Sequence, residues 1–246
     1  MFDKERIQEL SLEFENGKPQ DTISWAFKTF NKDMAFACSF GMEDICIIDM
    51  LLKESPDARI FYLDTSLFFK ETYELIRKLE DRYKTKFECV KSDCPLEKQA
   101  QQYGDELWKI TPDLCCNIRK VAPLKKKLST LQSWMTGIRR EQTPTRANAK
   151  TVEWDEKFNL VKVNPIVKWA CNDVLGYLLE YDIPYNPLHD KGYPSIGCQP
   201  CTYPVNPGED SRAGRWRGFN KNECGLHKSH LLERRQKQMS TDGKVQ

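Results

Sequence analysis

The chain has 246 residues, of which 39% are apolar, and its 38 Lys and Arg nearly balance 36 Asp and Glu. This length suits one α/β domain with appendages, and the formal net charge of +2 argues against a polycation of the nucleic-acid-binding kind. The charged N-terminus has no apolar run behind it, and no stretch approaches the roughly 18 apolar residues of a membrane span. We therefore expect a soluble, cytoplasmic protein that binds neither nucleic acid nor a membrane. In that reducing compartment its ten cysteines indicate metal binding or catalysis before disulfides.

Predicted helices and strands alternate along the first half of the chain. Residues 1–31 show the apolar spacing of helices, with a break at Gly17-Lys18-Pro19. The apolar run from Met34 to Cys38 has the profile of a buried parallel strand, and three further strands alternate with segments of helical spacing. This alternation is typical of βαβ units and a parallel sheet. The strands are predicted at about 34–38, 58–63, 86–90 and 133–138, and the helices at about 43–53, 69–83, 95–103 and 117–128.

The second half has less regular patterning. Residues 152–163 are predicted to form a hairpin, and a helix is predicted over 173–181 with Asn172 or Asp173 as its N-cap. From Ile183 onward Pro and Gly are frequent and no periodicity survives. We expect this segment to be loop-rich and to need something other than an apolar core to order it.

Four cysteines form two pairs, Cys115-Cys116 and Cys198-x-x-Cys201, separated by about 80 residues. Neither pair alone completes a four-coordinate centre, but together they make a four-thiolate site. The donor set is all thiolate, with no histidine near either pair, and this suits zinc or an iron–sulfur cluster. Adjacent cysteines are an unusual pair of zinc ligands, so the set favours the cluster. The alternative is that Cys115 and Cys116 are small buried packing residues and the second pair is coincidental.

Small polar turns follow the first two predicted strands. Ser39-Phe40-Gly41 lies between the first strand and its helix, where backbone N–H groups at a helix N-terminus can bind an anion. The turn is neither a Walker A loop nor a Gly-x-Gly-x-x-Gly fingerprint, and an ordinary strand–helix turn is the alternative. The second strand ends in Leu63-Asp64-Thr65-Ser66. Ligands of open α/β sheets bind at neighbouring strand ends of this kind.

Arginines cluster at two places. Arg139, Arg140 and Arg146 follow the fourth predicted strand, and Arg212 and Arg215 lie in the basic C-terminal segment. Guanidinium groups bind phosphate and sulfate oxygens in a bidentate manner. Solvated surface charge is the commoner explanation for any single arginine.

Cys224 stands outside the four-cysteine set. It lies in Glu223-Cys224-Gly225-Leu226-His227, with Lys221 and Lys228 close by. Positive neighbours favour the thiolate form of a cysteine and so its use as a nucleophile. An incidental thiol in a basic tail is the alternative. The other five cysteines are predicted to be packing residues: Cys38, Cys46, Cys89, Cys94 and Cys171.

The residues from Ser39-Phe40-Gly41 to Glu223-Cys224-Gly225-Leu226-His227 resemble an assimilatory adenylyl-sulfate (APS) reductase of the phosphoadenylyl-sulfate reductase family. The C-terminal pentapeptide is quite specific to that family. The Cys-Cys and Cys-x-x-Cys set is similar to that of its cluster-bearing branch. The resemblance implies an adenine-nucleotide α-hydrolase-like parallel sheet flanked by helices, with a mobile C-terminal tail.

The resemblance also implies roles for particular residues. Cys115, Cys116, Cys198 and Cys201 would hold a [4Fe-4S] cluster. The nucleotide would lie along Ser39, Phe40 and Gly41 with Leu63 and Thr65 beside it, and the phosphosulfate would contact Lys120, Arg146, Arg212 and Arg215. On this reading residues 1–204 form the nucleotide-binding α/β domain with the cluster site, and 205–246 form a flexible segment that carries Cys224.

The implied reaction is the thioredoxin-dependent reduction of adenylyl sulfate to sulfite and AMP, with an S-sulfocysteine on Cys224 as intermediate. It belongs to sulfate assimilation and cysteine biosynthesis, and such enzymes are often homo-oligomeric. Two alternatives remain open. One is a reductase of phosphoadenylyl sulfate (PAPS), or of both nucleotides, and the other is a non-catalytic iron–sulfur redox sensor.

Overall fold

The computed structural model describes residues 3–221 and 223–226. Two helices, α1 (Lys4–Phe14) and α2 (Pro19–Phe30), precede the sheet, and the chain breaks between them as the Gly-Lys-Pro sequence predicts. In this part of the chain no helix is both long enough and apolar enough to cross a membrane. The later helices are α3 (Met42–Glu54), α4 (Lys70–Tyr83), α5 (Leu96–Tyr103), α6 (Leu107–Ile110), α7 (Pro112–Cys116), α8 (Ala122–Leu128) and α9 (Cys171–Glu180).

Six strands form one sheet in the order β3-β2-β1-β4-β6-β5. The pairings are parallel except that β5 runs antiparallel to β6, as the predicted hairpin requires. The parallel α/β fold expected from the alternation of elements is therefore confirmed. The strands are β1 (Met34–Cys38), β2 (Ile60–Asp64), β3 (Glu88–Lys91), β4 (Ser133–Met135), β5 (Val152–Asp155) and β6 (Leu160–Val163).

Helices cover both faces of this sheet, and the period-2 alternation of β1 shows why. Met34 and Phe36 face the larger apolar cluster, which is built with α1, α2, α3, α4 and α9. Ala35 faces a second cluster, where Leu124 and Leu128 of α8 pack over Trp134 and Phe61. Because both faces are buried, the strand is apolar along its whole length.

The strand order places a topological switch point between β1 and β4. The chain moves from β1 outward to β2 and β3, and then returns to the other side of β1 to form β4. Ligands of open α/β sheets bind in the crevice at the carboxyl ends of the strands on either side of such a point. The turns after Cys38 and after Met135 therefore border the expected ligand crevice.

Three local predictions need correction. Helix α9 begins at Cys171, and Asp173 lies at its third position, where the carboxylate accepts the Ala170 amide at 2.7 Å instead of serving as the N-cap. Strand β4 ends at Met135, before the predicted end at 138. Cys38 and Cys46 are buried as predicted, but Cys89 and Cys171 are exposed and so are not core packing residues.

Candidate active site

The two cysteine pairs meet in one cavity. Cys115 and Cys116 end α7, and Cys198 and Cys201 bound a short 3-10 turn of the loop-rich segment. All four side chains are buried, and all four line the same cavity, together with Lys120, Arg215 and two tryptophans, Trp108 and Trp216. The structure thus brings together the four thiols that the sequence pairs predicted as one site.

Unpaired buried N–H groups surround these thiols. Within the described residues, Nε1 of Trp108, Nε1 of Trp216 and Nε of Arg215 are buried without a hydrogen-bond partner. Buried donors normally find an acceptor, and sulfur atoms of a bound anionic group are acceptors of the required kind. Across residues 3–221 and 223–226 no three His, Cys, Asp or Glu side chains converge tightly enough to hold a single metal ion. A cluster does not require such convergence, because each of its thiolates binds a different iron atom. The donor set and the unpaired N–H groups therefore fit an iron–sulfur cluster.

A π-helical turn, Asn117–Val121, follows the vicinal cysteines directly. Such π-turns occur often at functional sites. Arg119 in this turn is 3% exposed and donates from Nε to the Thr65 carbonyl at 2.6 Å and from Nη1 to Gln99 Oε1 at 3.1 Å. Gln99 in turn points its Nε2 at the Cys115 sulfur, 4.0 Å away. Through these contacts Arg119 joins the turn after α7 to the end of β2.

Thr65 connects the sheet edge to the cavity. It is fully buried, and the Cys198 thiol donates to its hydroxyl at 3.3 Å. Leu63, two residues earlier, packs against the second apolar cluster. Leu63 at the end of β2 and Thr65 just after it, both expected beside a nucleotide, therefore face different surroundings: Thr65 lies against the thiols and Leu63 against apolar side chains.

The turn after β1 is organised by Asp44, in the first turn of α3. Ser39 donates its backbone N–H to Asp44 Oδ2 at 2.5 Å and its hydroxyl to the same oxygen at 2.6 Å. Burial raises the pKa of Asp44 to about 6, against the lowering effect of the Ser39 hydrogen bonds. Phe40 has a φ of 60° and is buried in contact with aromatic rings, so its backbone borders the crevice while its ring belongs to the core.

A close approach fixes Asp44 from the β4 side. A Cβ atom added to Gly137 would lie 2.0 Å from Asp44 Oδ1, so only glycine fits there while Asp44 holds Ser39. Gly41 is different. Its φ is −68°, and an added Cβ would make contacts of 3.4 Å or longer. Of these two glycines at the crevice between β1 and β4, Gly137 is therefore the one that the structure requires. The sequence alone does not single it out.

The arginines that follow β4 separate into two groups. Arg139 pairs with Glu43 at 2.9 Å and with Glu141 at 2.8 Å, and Arg140 pairs with Glu15 at 2.6 Å. These two arginines join structural elements. Arg146 instead reaches the C-terminal segment, where its Nε and Nη2 donate to the Glu223 carboxylate at 2.9 and 3.0 Å.

Arg212 and Arg215 come from the other side of the same site. Arg212 Nη2 lies 3.5 Å from Glu223 Oε2, and Arg215 Nη1 donates to the Ser195 hydroxyl at 3.2 Å. An added Cβ on Gly197 would lie 2.3 Å from Arg215 Nη2, so the Arg215 guanidinium lies closely over this loop. Four cations predicted as anion ligands, Lys120, Arg146, Arg212 and Arg215, thus border the cysteine cavity or the segment beside it.

Cys224 packs against the cluster of buried side chains formed by Cys116, Cys198, Cys201 and Trp216. Contacts of the next two residues fix this position. Gly225 accepts a hydrogen bond from Lys157 Nζ at 2.7 Å, and Leu226 packs against the second apolar cluster, as Leu63 does. His227, the last residue of the family pentapeptide, and residues 228–246 lie outside the described residues, as does part of the segment predicted to be flexible.

Lys120 interacts electrostatically with this thiol. Burial lowers its pKa, but the neighbouring thiols of Cys198, Cys224 and Cys116 outweigh burial and raise that pKa above its ordinary value. The ammonium group therefore stays charged. Cys224 and Arg212 also interact electrostatically, so the thiol lies among fixed positive charges.

Comparison with known proteins identifies the family. Residues 33–204 match the model of the phosphoadenosine phosphosulfate reductase domain. The chain belongs to this family. It is 46% identical over 222 residues to a protein of Halalkalibacterium halodurans named adenosine 5'-phosphosulfate reductase, with 90% of this chain and 96% of that protein covered. It is 47% identical over 208 residues to a protein of the same name from a Geobacillus species, covering 84% and 88% of the two chains.

Solved structures agree with this family assignment. The phosphoadenylyl-sulfate (PAPS) reductase of Candida auris, in a phosphate complex, is 30% identical and superimposes with a TM-score of 0.73, covering 82% of this chain and 98% of that one. The FMN adenylyltransferase of Candida glabrata, 15% identical with a TM-score of 0.57 and coverage of 83% and 67%, shares the fold. The expected α/β architecture of the reductase family is confirmed.

The sequence reading missed several residues of the site. It treated Glu223 only as a neighbour of Cys224, yet this residue is the acid that meets Arg146 and Arg212. Trp108 and Trp216, which wall the cysteine cavity, also went unnoticed. A tryptophan between two arginines in a loop-rich segment was the available signal for Trp216. Nothing local marks Trp108.

Proposed function

We propose that this chain reduces adenylyl sulfate to sulfite and AMP, using Cys224 as the nucleophile and thioredoxin as the reductant. One observation carries the proposal. Cys224 lies beside the four-cysteine cavity and among the charges of Lys120 and Arg212, next to the residue that binds Arg146. Family membership and the name shared by relatives at 46–47% identity support adenylyl sulfate as substrate.

The first step is a displacement at sulfur. The Cys224 thiolate attacks the sulfur of the sulfuryl group, a S–S bond forms, and the bond from that sulfur to the phosphate oxygen breaks. AMP leaves with the bonding electron pair, and the enzyme retains an S-sulfocysteine. Negative charge builds on the departing phosphate oxygen, and fixed cations such as Lys120, Arg212 and Arg215 stabilise it.

The second step returns the thiol. A thioredoxin thiolate attacks the Cys224 sulfur and expels sulfite, which leaves with the electron pair of the S–S bond. The resulting mixed disulfide is resolved by a second thioredoxin thiol, so two thiols supply the two electrons. No flavin or nicotinamide is required by this sequence of steps.

The nucleotide is assigned to the crevice between β1 and β4. The backbone of Ser39, Phe40 and Gly41 borders it, and Leu63 on the neighbouring strand β2 adds apolar surface that suits a purine ring. Thr65 links this crevice to the cysteine cavity, since its hydroxyl accepts a hydrogen bond from the Cys198 thiol. In this assignment Arg146 and Arg212 hold oxyanions of the phosphosulfate group.

Cys115, Cys116, Cys198 and Cys201 would hold a [4Fe-4S] cluster. When bound, it would join the α7 helix to the 183–204 loop and add negative sulfur atoms near Lys120. The protein's own contribution is to present four thiols and the surrounding N–H donors from rigid elements. The cytoplasmic location, expected from the sequence, and the homo-oligomeric state, implied by the resemblance, remain predictions.

The test is an anaerobic assay of sulfite release with reduced thioredoxin. Adenylyl sulfate and PAPS are supplied separately, because relatives of this chain carry either name. We expect turnover of adenylyl sulfate and none by Cys224→Ser, with the brown colour of the cluster kept in both proteins. Turnover of PAPS alone would assign the alternative substrate. Absence of turnover with both nucleotides would favour the sensor and refute the proposal.

A further inference from the structure

Glu223 is a buried acid inside the cationic part of the site. Its side chain is 2% exposed, and both carboxylate oxygens accept from Arg146, in the fork geometry that arginine uses for phosphate and sulfate. Thr143 also donates to it at 3.3 Å. The guanidinium groups assigned to the substrate's oxyanions are therefore engaged by a carboxylate of the protein itself.

The charge of Glu223 is kept in this position. Burial by itself raises the pKa of Glu223, but the charges of Arg146 and Arg212 outweigh it and hold that pKa below its usual value. Burial disfavours the charged form of the Arg212 guanidinium, and the nearby Glu223 carboxylate offsets part of this cost. A buried cluster of arginines without an anion is unfavourable, so in the absence of a ligand some anion must occupy it.

Glu223 is also bound covalently to the nucleophile, since Cys224 is the next residue. Contacts elsewhere in the segment attach it to the body of the protein, including a salt bridge of buried Lys221 with Asp113 and the hydrogen bond from Lys157 to Gly225. A displacement of the Glu223 backbone away from Arg146 therefore moves the adjacent Cys224 as well.

We propose that Glu223 is a positioning residue that occupies the Arg146 and Arg212 oxyanion site as a stand-in for the substrate and gives it up when the phosphosulfate binds. The proposal rests on the proposed function, because it takes these two arginines as substrate ligands. Glu223 holds the Cys224 segment closed in the resting protein. Its displacement ties the repositioning of the thiol to the arrival of the anion.

The exchange has a thermodynamic signature that a purely structural ion pair lacks. If Glu223 competes with substrate for Arg146 and Arg212, removing its charge tightens substrate binding, whereas removing an acid whose partner arginine takes no part in binding leaves the Kd unchanged. Coupling is reciprocal, so the substrate weakens the hold of Glu223 as much as Glu223 weakens the substrate. A site that is self-occupied in about nine of ten molecules binds its ligand about tenfold more weakly than a vacant one.

The experiment measures the Kd of adenylyl sulfate by calorimetry, under anaerobic conditions, on cluster-loaded full-length protein carrying Cys224→Ser so that no turnover occurs. Glu223→Gln and Glu223→Ala are added in turn. Glu209→Gln is the matched control, because Glu209 forms an exposed ion pair with Arg217 in the same segment. Thermal melting and the visible absorbance of the cluster confirm that each variant is folded.

We expect both Glu223 variants to bind adenylyl sulfate about tenfold more tightly and Glu209→Gln to bind as the parent does. With Cys224 intact, Glu223→Gln lowers KM by a similar factor, because Glu223 no longer competes with the substrate for Arg146 and Arg212. Unchanged or weaker binding by both Glu223 variants overturns the proposal while leaving the reductase function standing. If the parent does not bind adenylyl sulfate at all, the proposed function fails, and this inference fails with it.

Discussion

Replacing Gly137 by Ala tests the crevice between β1 and β4 most sharply. The new Cβ would lie 2.0 Å from Asp44 Oδ1, and the Asp44 backbone nitrogen, 3.3 Å away, prevents a simple shift. Asp44 must then turn away from Ser39 and lose hydrogen bonds of 2.5 and 2.6 Å. Hydrogen bonds to a charged group contribute about 1.5–3 kcal/mol each, so the Ser39 turn loses on the order of 3 kcal/mol or more.

If the Ser39 turn holds the nucleotide, that loss corresponds to about 100-fold weaker binding of AMP, measured by calorimetry. Gly176→Ala is the matched control. Gly176 lies within α9, and an added Cβ there meets nothing within 4 Å. The control should bind AMP normally and gain about 1 kcal/mol of stability from the better helix former. Folded Gly137→Ala protein with normal AMP affinity would refute the placement of the nucleotide.

Two further predictions concern charge in the site. Lys120→Ala should lower turnover by at least about tenfold without bleaching the cluster, because it removes a cation that stabilises the leaving phosphate. Asp44 should also make stability depend on pH, because its pKa is about 6 in the folded protein against an ordinary 3.8. The folded state then binds this proton more tightly than the unfolded chain, so stability is lost as pH rises. The loss between pH 3.8 and 6 is about 3 kcal/mol at 1.36 kcal/mol per pH unit, and Asp44→Asn should abolish it in urea denaturation.

Controls separate these effects from general damage. Lys125→Ala removes an exposed lysine from the neighbouring helix α8 and should leave turnover unchanged. Equal loss of colour and activity in Lys120→Ala would instead mean that Lys120 supports the cluster. For Asp44, parallel stability profiles of the wild type and Asp44→Asn between pH 4 and 7 would contradict the raised pKa.

The sheet and most of its helices follow from the sequence because their signals are local. Both faces of β1 are buried, so the strand is a continuous apolar run, and α4 repeats its apolar residues at helical spacing. The strand order was not predictable in this way. It depends on which side of β1 is paired with β4, and the residues of these two strands do not indicate that side.

The candidate site was predictable where residue chemistry is unusual. Two cysteine pairs and a separate Cys224 stand out in the sequence, and the structure brings all five cysteines together. Charged residues were harder, because an arginine's role depends on its partner. Arg139 and Arg140 meet structural acids, whereas Arg146 meets Glu223, which lies 77 positions away in sequence. Only the fold distinguishes them.

The most direct test of the account is a mass measurement of the protein after reaction with adenylyl sulfate in the absence of any reductant. The account predicts that the intact chain gains the mass of one sulfonate group, that peptide mapping places it on Cys224, and that reduced thioredoxin releases it as sulfite. Cys224→Ser should gain nothing. A sulfonate on another cysteine, or sulfite release by Cys224→Ser at the wild-type rate, would contradict the claim that Cys224 is the nucleophile.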